Sequence, residues 1–99
     1  MEPESPPPPA AHSSEIFSDA TTRVTRHTLL PGHSTGTHTH EFDYVVIPVR
    51  GGTVQVDTDT SSFEFTLVAR EPYARDSGIT HCLTNFSDSV VDFFEVEYL

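Results

Sequence analysis

The chain has 99 residues, which is enough for one small domain and too few for two. Its 15 acidic residues outnumber 5 basic ones, and the resulting formal net charge of −10 repels phosphate backbones and anionic lipids, so we expect neither nucleic acid nor a membrane as a partner. Cys82 is the only cysteine, no run of 18 apolar residues occurs and the N-terminus lacks the features of a signal peptide, so we expect a cytoplasmic protein.

Residues 1–14, MEPESPPPPAAHSS, are rich in proline and serine and contain no apolar repeat, which predicts a disordered tail. From Glu15 onward, short apolar or alternating runs are separated by turn residues, and we take 15–99 as the folded domain. Strands are predicted at 24–30, 38–49, 53–58, 63–68, 73–75, 81–85 and 90–99. No segment shows the three-to-four-residue spacing of an amphipathic helix, so the pattern favours an all-β sandwich or barrel.

Three histidines are placed as metal ligands would be. His38 and His40 are one residue apart in a predicted strand, where alternation puts both imidazoles on one face about 7 Å apart. Gly78 turns the chain three residues before His81, which begins a later strand. If that strand is an antiparallel neighbour, His81 lies across from the first pair. We therefore predict one metal site formed by His38, His40 and His81.

Two segments resemble the motifs of a known family. PGHSTGTHTHEFDY, residues 31–44, is similar to the first cupin motif, and GITHCLTN, residues 78–85, is similar to the second. The matching positions are Gly32, His38, His40, Gly78, His81 and Asn85. The resemblance covers roughly residues 20–99 and implies a single-domain cupin, an all-β jelly-roll barrel (double-stranded β-helix) with one divalent metal ion. HEFDYVVIPV also resembles a group of very small bacterial cupins, some of which are named for β-alanine degradation.

Tyr44 occupies the position where the first motif usually has a glutamate ligand. Three neutral histidines leave about +2 on a divalent ion, whereas two histidines and a carboxylate leave about +1. The higher charge favours anionic or chelating substrates and lowers the pKa of bound water. Tyr44 is our candidate catalytic residue and can ligate as a phenolate, act as an acid or base, or hydrogen-bond a ligand. The alternative is a tyrosine that only lines the barrel.

Strand alternation also predicts the pocket and a subunit interface. The predicted substrate-binding residues, placed on the barrel interior, are Phe42, Val46, Phe94, Val96 and Tyr98. The same alternation assigns Glu95 and Glu97 to a solvated face. The long strand 38–49 is apolar on its other face as well, and such a strand needs cover on both sides, so we expect a homodimer.

The resemblance implies a metal-dependent enzyme acting on a small molecule, such as an organic acid. Fe²⁺ is the first expectation for the cofactor, with Mn²⁺, Zn²⁺, Ni²⁺ and Co²⁺ as alternatives. Three-histidine dioxygenases occur in the cupin superfamily, and the same ligand set also supports Lewis-acid lyase, isomerase, decarboxylase or cyclase chemistry. A non-catalytic metal-containing binding or sensor protein is the alternative function, and a metal-free barrel with remnant histidines is a third. The fold does not choose between them.

Overall fold

The computed structural model describes residues 8–99 and contains nine strands and no helix in that range. In chain order the strands are β1 (His12–Ser18), β2 (Thr22–Leu29), β3 (His38–Thr39), β4 (Tyr44–Arg50), β5 (Gly52–Thr58), β6 (Ser62–Leu67), β7 (Tyr73–Arg75), β8 (Thr80–Thr84) and β9 (Val91–Tyr98). The described part therefore offers no helix that is long and apolar enough to cross a membrane. The all-β prediction is confirmed.

The strands form two antiparallel sheets. One has five strands in the order β1-β2-β9-β4-β7, and the other has four in the order β3-β8-β5-β6. The last strand, β9, lies between β2 and β4, so strands distant in the sequence become neighbours, as in a jelly roll. The buried apolar core consists of Leu29, Tyr44, Val46, Val54, Val56, Leu67, Leu83, Val91 and Phe93. The predicted jelly-roll barrel is confirmed.

The ordered domain begins earlier than the sequence predicted. Residues 12–14 belong to β1, which pairs with β2 at the edge of the larger sheet. Just before it, the Ala11 amide donates to the Ser34 carbonyl, and the Ser34 amide donates to the Pro9 carbonyl. Every β1 residue is exposed, so backbone pairing holds this strand and an apolar pattern could not reveal it. Met1–Pro7, the rest of the predicted tail, lies outside the described residues.

The predicted strand 38–49 is two strands in different sheets. β3 pairs with β8 in the smaller sheet, whereas β4 pairs with β7 and β9 in the larger one. Residues 40–43 form the bend between them, and the Gly78 amide fixes the bend by donating to the His40 carbonyl at 2.8 Å. The prediction of one continuous strand over 38–49 is therefore wrong, because the chain changes sheets at this corner.

The predicted phase of β9 is also wrong. Phe93, Glu95 and Glu97 are 2%, 8% and 8% exposed, whereas Tyr98 is 55% exposed. The residues in the outward phase are Phe94, Val96 and Tyr98, which the sequence had placed inside. Adjacent aromatic residues at 93 and 94 make both faces of this strand apolar, so alternation alone chose the wrong one.

Asn85 holds the turn between β8 and β9 against the end of β2. Its side chain is fully buried, and its amide nitrogen donates to the carbonyls of Leu29 at 2.9 Å and Ser89 at 2.7 Å. Its side-chain oxygen accepts from the amide and the hydroxyl of Ser87. This residue of the second motif therefore shapes the turn between β8 and β9.

Candidate metal centre

The three predicted ligands meet in the structure. His38 and His81 are directly paired across β3 and β8, and His40 follows β3 at the bend. The His40 Nε2 atom lies 3.0 Å from the Nε2 atoms of both His38 and His81. All three ligand atoms lie within 4.8 Å of one another, so the cluster can hold a metal ion. The predicted convergence of the three imidazoles is confirmed.

Neighbouring groups orient two of the rings. His38 Nδ1 lies 2.9 Å from the Gly36 carbonyl oxygen. Because a carbonyl only accepts, Nδ1 carries the proton and the lone pair of neutral His38 is on Nε2, which faces the other imidazoles. The Tyr44 ring stacks on the His40 imidazole, with centroids 4.0 Å apart and planes tilted by 20°. This tyrosine therefore fixes the orientation of a predicted ligand.

Burial keeps two of the imidazoles neutral. It lowers the pKa of His81 to about 4, and the nearby His38 and His40 add to the effect. Burial also lowers the pKa of His40, although the charge of Glu95 partly opposes it. At neutral pH these rings therefore keep a free lone pair, the form in which histidine binds a metal.

A buried carboxylate that the sequence analysis missed lies beside the triad. Glu95 Oε1 is 3.7 Å from His40 Nε2, and Glu95 Oε2 is 3.1 Å from His27 Nε2. The other ring nitrogen of His27 is 2.7 Å from the Ser13 hydroxyl oxygen. Burial raises the pKa of Glu95, but the hydrogen bond and charge of His27, together with the other histidines, outweigh it and lower the pKa overall. Glu95 therefore places a negative charge next to the three imidazoles.

A charge pattern on β2 is the sequence signal for the face of β9 that carries Glu95 and Glu97. Arg23 and His27 recur in the same strand phase, and Arg23 grips Glu97 with two hydrogen bonds of 2.9 and 3.1 Å. A strand that presents basic groups on one face indicates a partner strand that presents acidic groups on the same face. Matching β2 to β9 by charge would have placed Glu95 and Glu97 on the same face as Arg23 and His27, which is the inward face in the structure.

Two cavities of different character flank the triad. His38 and His40 line a polar cavity of about 300 Å³, and its walls include Arg23, Thr25, His27, Glu41, Glu95 and Glu97. His81 lines an aromatic cavity of about 270 Å³, and its walls include Tyr44, Phe63, Phe65, Tyr73, Arg75 and Ile79. The predicted substrate-binding residues Phe42, Val46, Phe94, Val96 and Tyr98 line neither of these two cavities.

The Tyr44 phenol is protonated in this environment. Burial raises its pKa well above the ordinary value, and the negative charge of Glu95 adds to the rise. Tyr44 lines the aromatic cavity. Of the roles considered for Tyr44, the surroundings favour a hydrogen-bond or proton donor over a base.

The chain is similar to a named bacterial protein in sequence and to cupins of solved structure in fold. It is 36% identical over 89 residues to the β-alanine degradation protein BauB of Pseudomonas aeruginosa, covering 90% of this chain and 94% of that protein. A crystal structure of a cupin domain from Bordetella pertussis Tohama I superimposes with a TM-score of 0.90 and 32% identity, covering 93% of this chain and 96% of that one. An RmlC-like cupin from Methanocaldococcus jannaschii shares the fold at a TM-score of 0.76 and 10% identity, over 90% of this chain and 80% of that one. No protein-family model matches the chain.

Proposed function

This chain belongs to the small bacterial cupins that include BauB, and we propose that it is a metal-dependent enzyme acting on a small molecule. The observation that carries the proposal is the convergence of three Nε2 atoms beside two cavities. BauB is named for β-alanine degradation, so a role in the breakdown of a small amino or organic acid is part of the proposal.

The donor set fits a divalent cation. With bonds of about 2.1 Å, neighbouring ligand atoms lie about 3.0 Å apart in an octahedron and about 3.4 Å apart in a tetrahedron. The 3.0 Å separations from His40 Nε2 to both other Nε2 atoms match the octahedral value. His38, His40 and His81 would hold the ion, and solvent or substrate would take its further positions. We propose Fe²⁺ first, with Mn²⁺, Zn²⁺, Ni²⁺ or Co²⁺ as alternatives.

When bound, such an ion supplies Lewis acidity and, as Fe²⁺ or Mn²⁺, the capacity to use O₂, which corresponds to lyase, isomerase or cyclase chemistry or to a dioxygenase. The protein contributes a protonated phenol, Tyr44, which donates a hydrogen bond or a proton to a substrate in the aromatic cavity. Glu95, which forms a hydrogen bond with His27, supplies a fixed negative charge on the polar side.

The decisive experiment measures metal content and turnover in untagged protein. Wild type and His12→Ala, which changes an exposed histidine on β1, should retain a stoichiometric divalent ion, whereas His81→Ala should lose it. Circular dichroism confirms that each variant is folded. Retention of the full metal content by folded His81→Ala would rule out the proposed ligand set.

Turnover separates the candidate functions. Small organic acids are incubated with Fe²⁺-loaded protein while O₂ uptake and products are followed. Product with O₂ uptake indicates a dioxygenase, and product without it indicates Lewis-acid chemistry. Turnover that is lowered in Tyr44→Phe at unchanged metal content would support the role of the phenol. Ligand-dependent thermal stabilisation without any product would instead favour the binding or sensor function.

A second copy of the chain is the proposed cover for the outer face of the five-stranded sheet. There Val45 pairs with Val96 and Ile47 pairs with Phe94, and Ile47 is 38% exposed. Wild type should sediment as a dimer and Ile47→Glu as a folded monomer, whereas a wild-type monomer at micromolar concentration would contradict this. A cytoplasmic location, where the single thiol Cys82 stays reduced, completes the proposal.

A further inference from the structure

We propose that Arg75 makes the aromatic cavity a binding site for the carboxylate of a small monocarboxylic acid with an apolar body. This inference rests on the proposed function in one respect, since it takes the histidine triad as the place where the other end of the ligand reacts. The cavity walls, the surroundings of Arg75 and the position of the cavity beside the triad each support it.

The aromatic cavity differs in charge from the rest of the molecule. The chain carries a formal net charge of −10, and the polar cavity contains the three acids Glu41, Glu95 and Glu97. No acid lines the aromatic cavity among the described residues, and Arg75 is its single arginine or lysine. A cation in a low-dielectric, acid-free pocket gives an anion a favourable local field that the protein surface does not offer.

Arg75 is held in place without being neutralised. Its guanidinium carbon lies 4.5 Å from the centre of the Tyr73 ring and 5.5 Å from that of Phe65. One nitrogen, Nη1, donates to the Ala74 carbonyl at 2.9 Å. Within residues 8–99 no carboxylate forms an ion pair with it, whereas Arg23 and Arg26 are each paired with an acid. Stacking on ring faces leaves the other edges of the planar fork free for a two-point contact with a carboxylate.

The dimensions and walls of the cavity define the rest of the ligand. Its volume of about 270 Å³ is below the roughly 300–1,000 Å³ of pockets that hold drug-sized molecules, so it suits a metabolite. Phe63, Phe65 and Ile79 supply apolar walls for the body of the ligand. Tyr44 and His81 line the same cavity, so an acid anchored on Arg75 has the phenol and one histidine of the triad within the same enclosure.

The test compares two probes of nearly identical shape, 3-phenylpropionate and its neutral amide, by titration calorimetry. Wild type should bind the acid and discriminate against the amide. Arg75→Gln should weaken acid binding about 10- to 100-fold, as expected for a lost charge-assisted contact, and should bind the amide as wild type does. Arg70→Gln is the matched control, because it removes the same charge from an exposed residue outside both cavities.

The titrations are repeated after metal removal by a chelator, with metal content measured in every sample. Wild type and Arg70→Gln should still prefer the acid over the amide after metal removal, whereas Arg75→Gln should not. This result supports the carboxylate site even if the proposed enzyme function fails. Three results would overturn the site: no binding of the acid to wild type at millimolar concentration, equal binding of acid and amide, or preference that disappears with the metal. Unchanged acid binding by folded Arg75→Gln would overturn it as well.

Discussion

The substitution Glu95→Gln removes one negative charge from beside the histidine triad and keeps the shape of the side chain. Glu95 is 8% exposed, and its Oε1 atom lies 3.7 Å from His40 Nε2. The amide of glutamine can still form a hydrogen bond with His27, so the sheet should remain intact. We expect weaker binding of divalent cations, because the triad loses the negative field that partly offsets the positive charge of an ion.

The expected loss is about 10- to 100-fold in metal affinity, the usual effect of removing a group that supports metal ligands from outside. This corresponds to about 1.4–2.8 kcal/mol. A unit negative charge and a divalent ion about 5 Å apart interact by about 7 kcal/mol at an effective dielectric constant of about 20, so the electrostatic interaction is large enough to account for it. Competition against a chromophoric chelator, with Zn²⁺ and Mn²⁺ as probes, measures the affinity directly.

Glu97→Gln is the matched control. Glu97 lies on the same strand, in the same inward phase and with the same 8% exposure, but its carboxylate is held by Arg23. This variant should change metal affinity much less than Glu95→Gln. An equal loss in both variants would show that only the overall charge of the polar cavity matters, and an unchanged affinity in Glu95→Gln would refute the reasoning.

Three further predictions concern stability and are checked by urea denaturation. Asn85→Ala should lower the free energy of unfolding by about 2–4 kcal/mol, because buried carbonyls lose their donor; a loss below about 1 kcal/mol would contradict this. Gly51→Ala should lower the free energy of unfolding by about 1–3 kcal/mol, since a Cβ atom there would clash with the Leu67 carbonyl oxygen, and an unchanged midpoint would disprove the clash. The hydrogen bond from Arg26 lowers the pKa of Asp92, although burial opposes it. The ionised carboxylate therefore stabilises the fold above about pH 4, and this stabilisation is lost as the pH falls through the lowered pKa of Asp92. Asp92→Asn should therefore be about 1 kcal/mol less stable than wild type at pH 7, and the difference should shrink on acidification; a growing difference would reverse the sign.

The triad could be predicted from the sequence because its signals are local. His38 and His40 are neighbours in an extended segment, and Gly78, which has a positive φ of 92°, marks the turn before His81. Antiparallel pairing of those two segments then requires the rings to meet. The fold class followed in the same way from short strands and turn residues.

Three parts of the site could not be predicted in this way. The bend at residues 40–43 contains neither glycine nor proline, so nothing in HEFD marks a change of sheet. Glu95 points inward because it shares a face of the sheet with Arg23 and His27 of β2. This depends on the pairing of β2 with β9, which the alternation along β9 does not reveal. Arg75 lies on a three-residue strand, and its value as an anchor comes from the aromatic rings of β6 and β7 around it.

The histidine triad lies where the two sheets face each other, and this location couples ion binding to cohesion of the whole barrel. His38 and His81 are on the four-stranded sheet, whereas Tyr44 and Glu95 are on the five-stranded one. An ion held by the three histidines would bind the folded chain and not the unfolded one, and at 100 times its dissociation constant it would add about 2.7 kcal/mol to the unfolding free energy. The total stability of a domain is about 5–15 kcal/mol, so this contribution would be a large part of it. The cation would then stabilise the barrel as well as take part in the reaction.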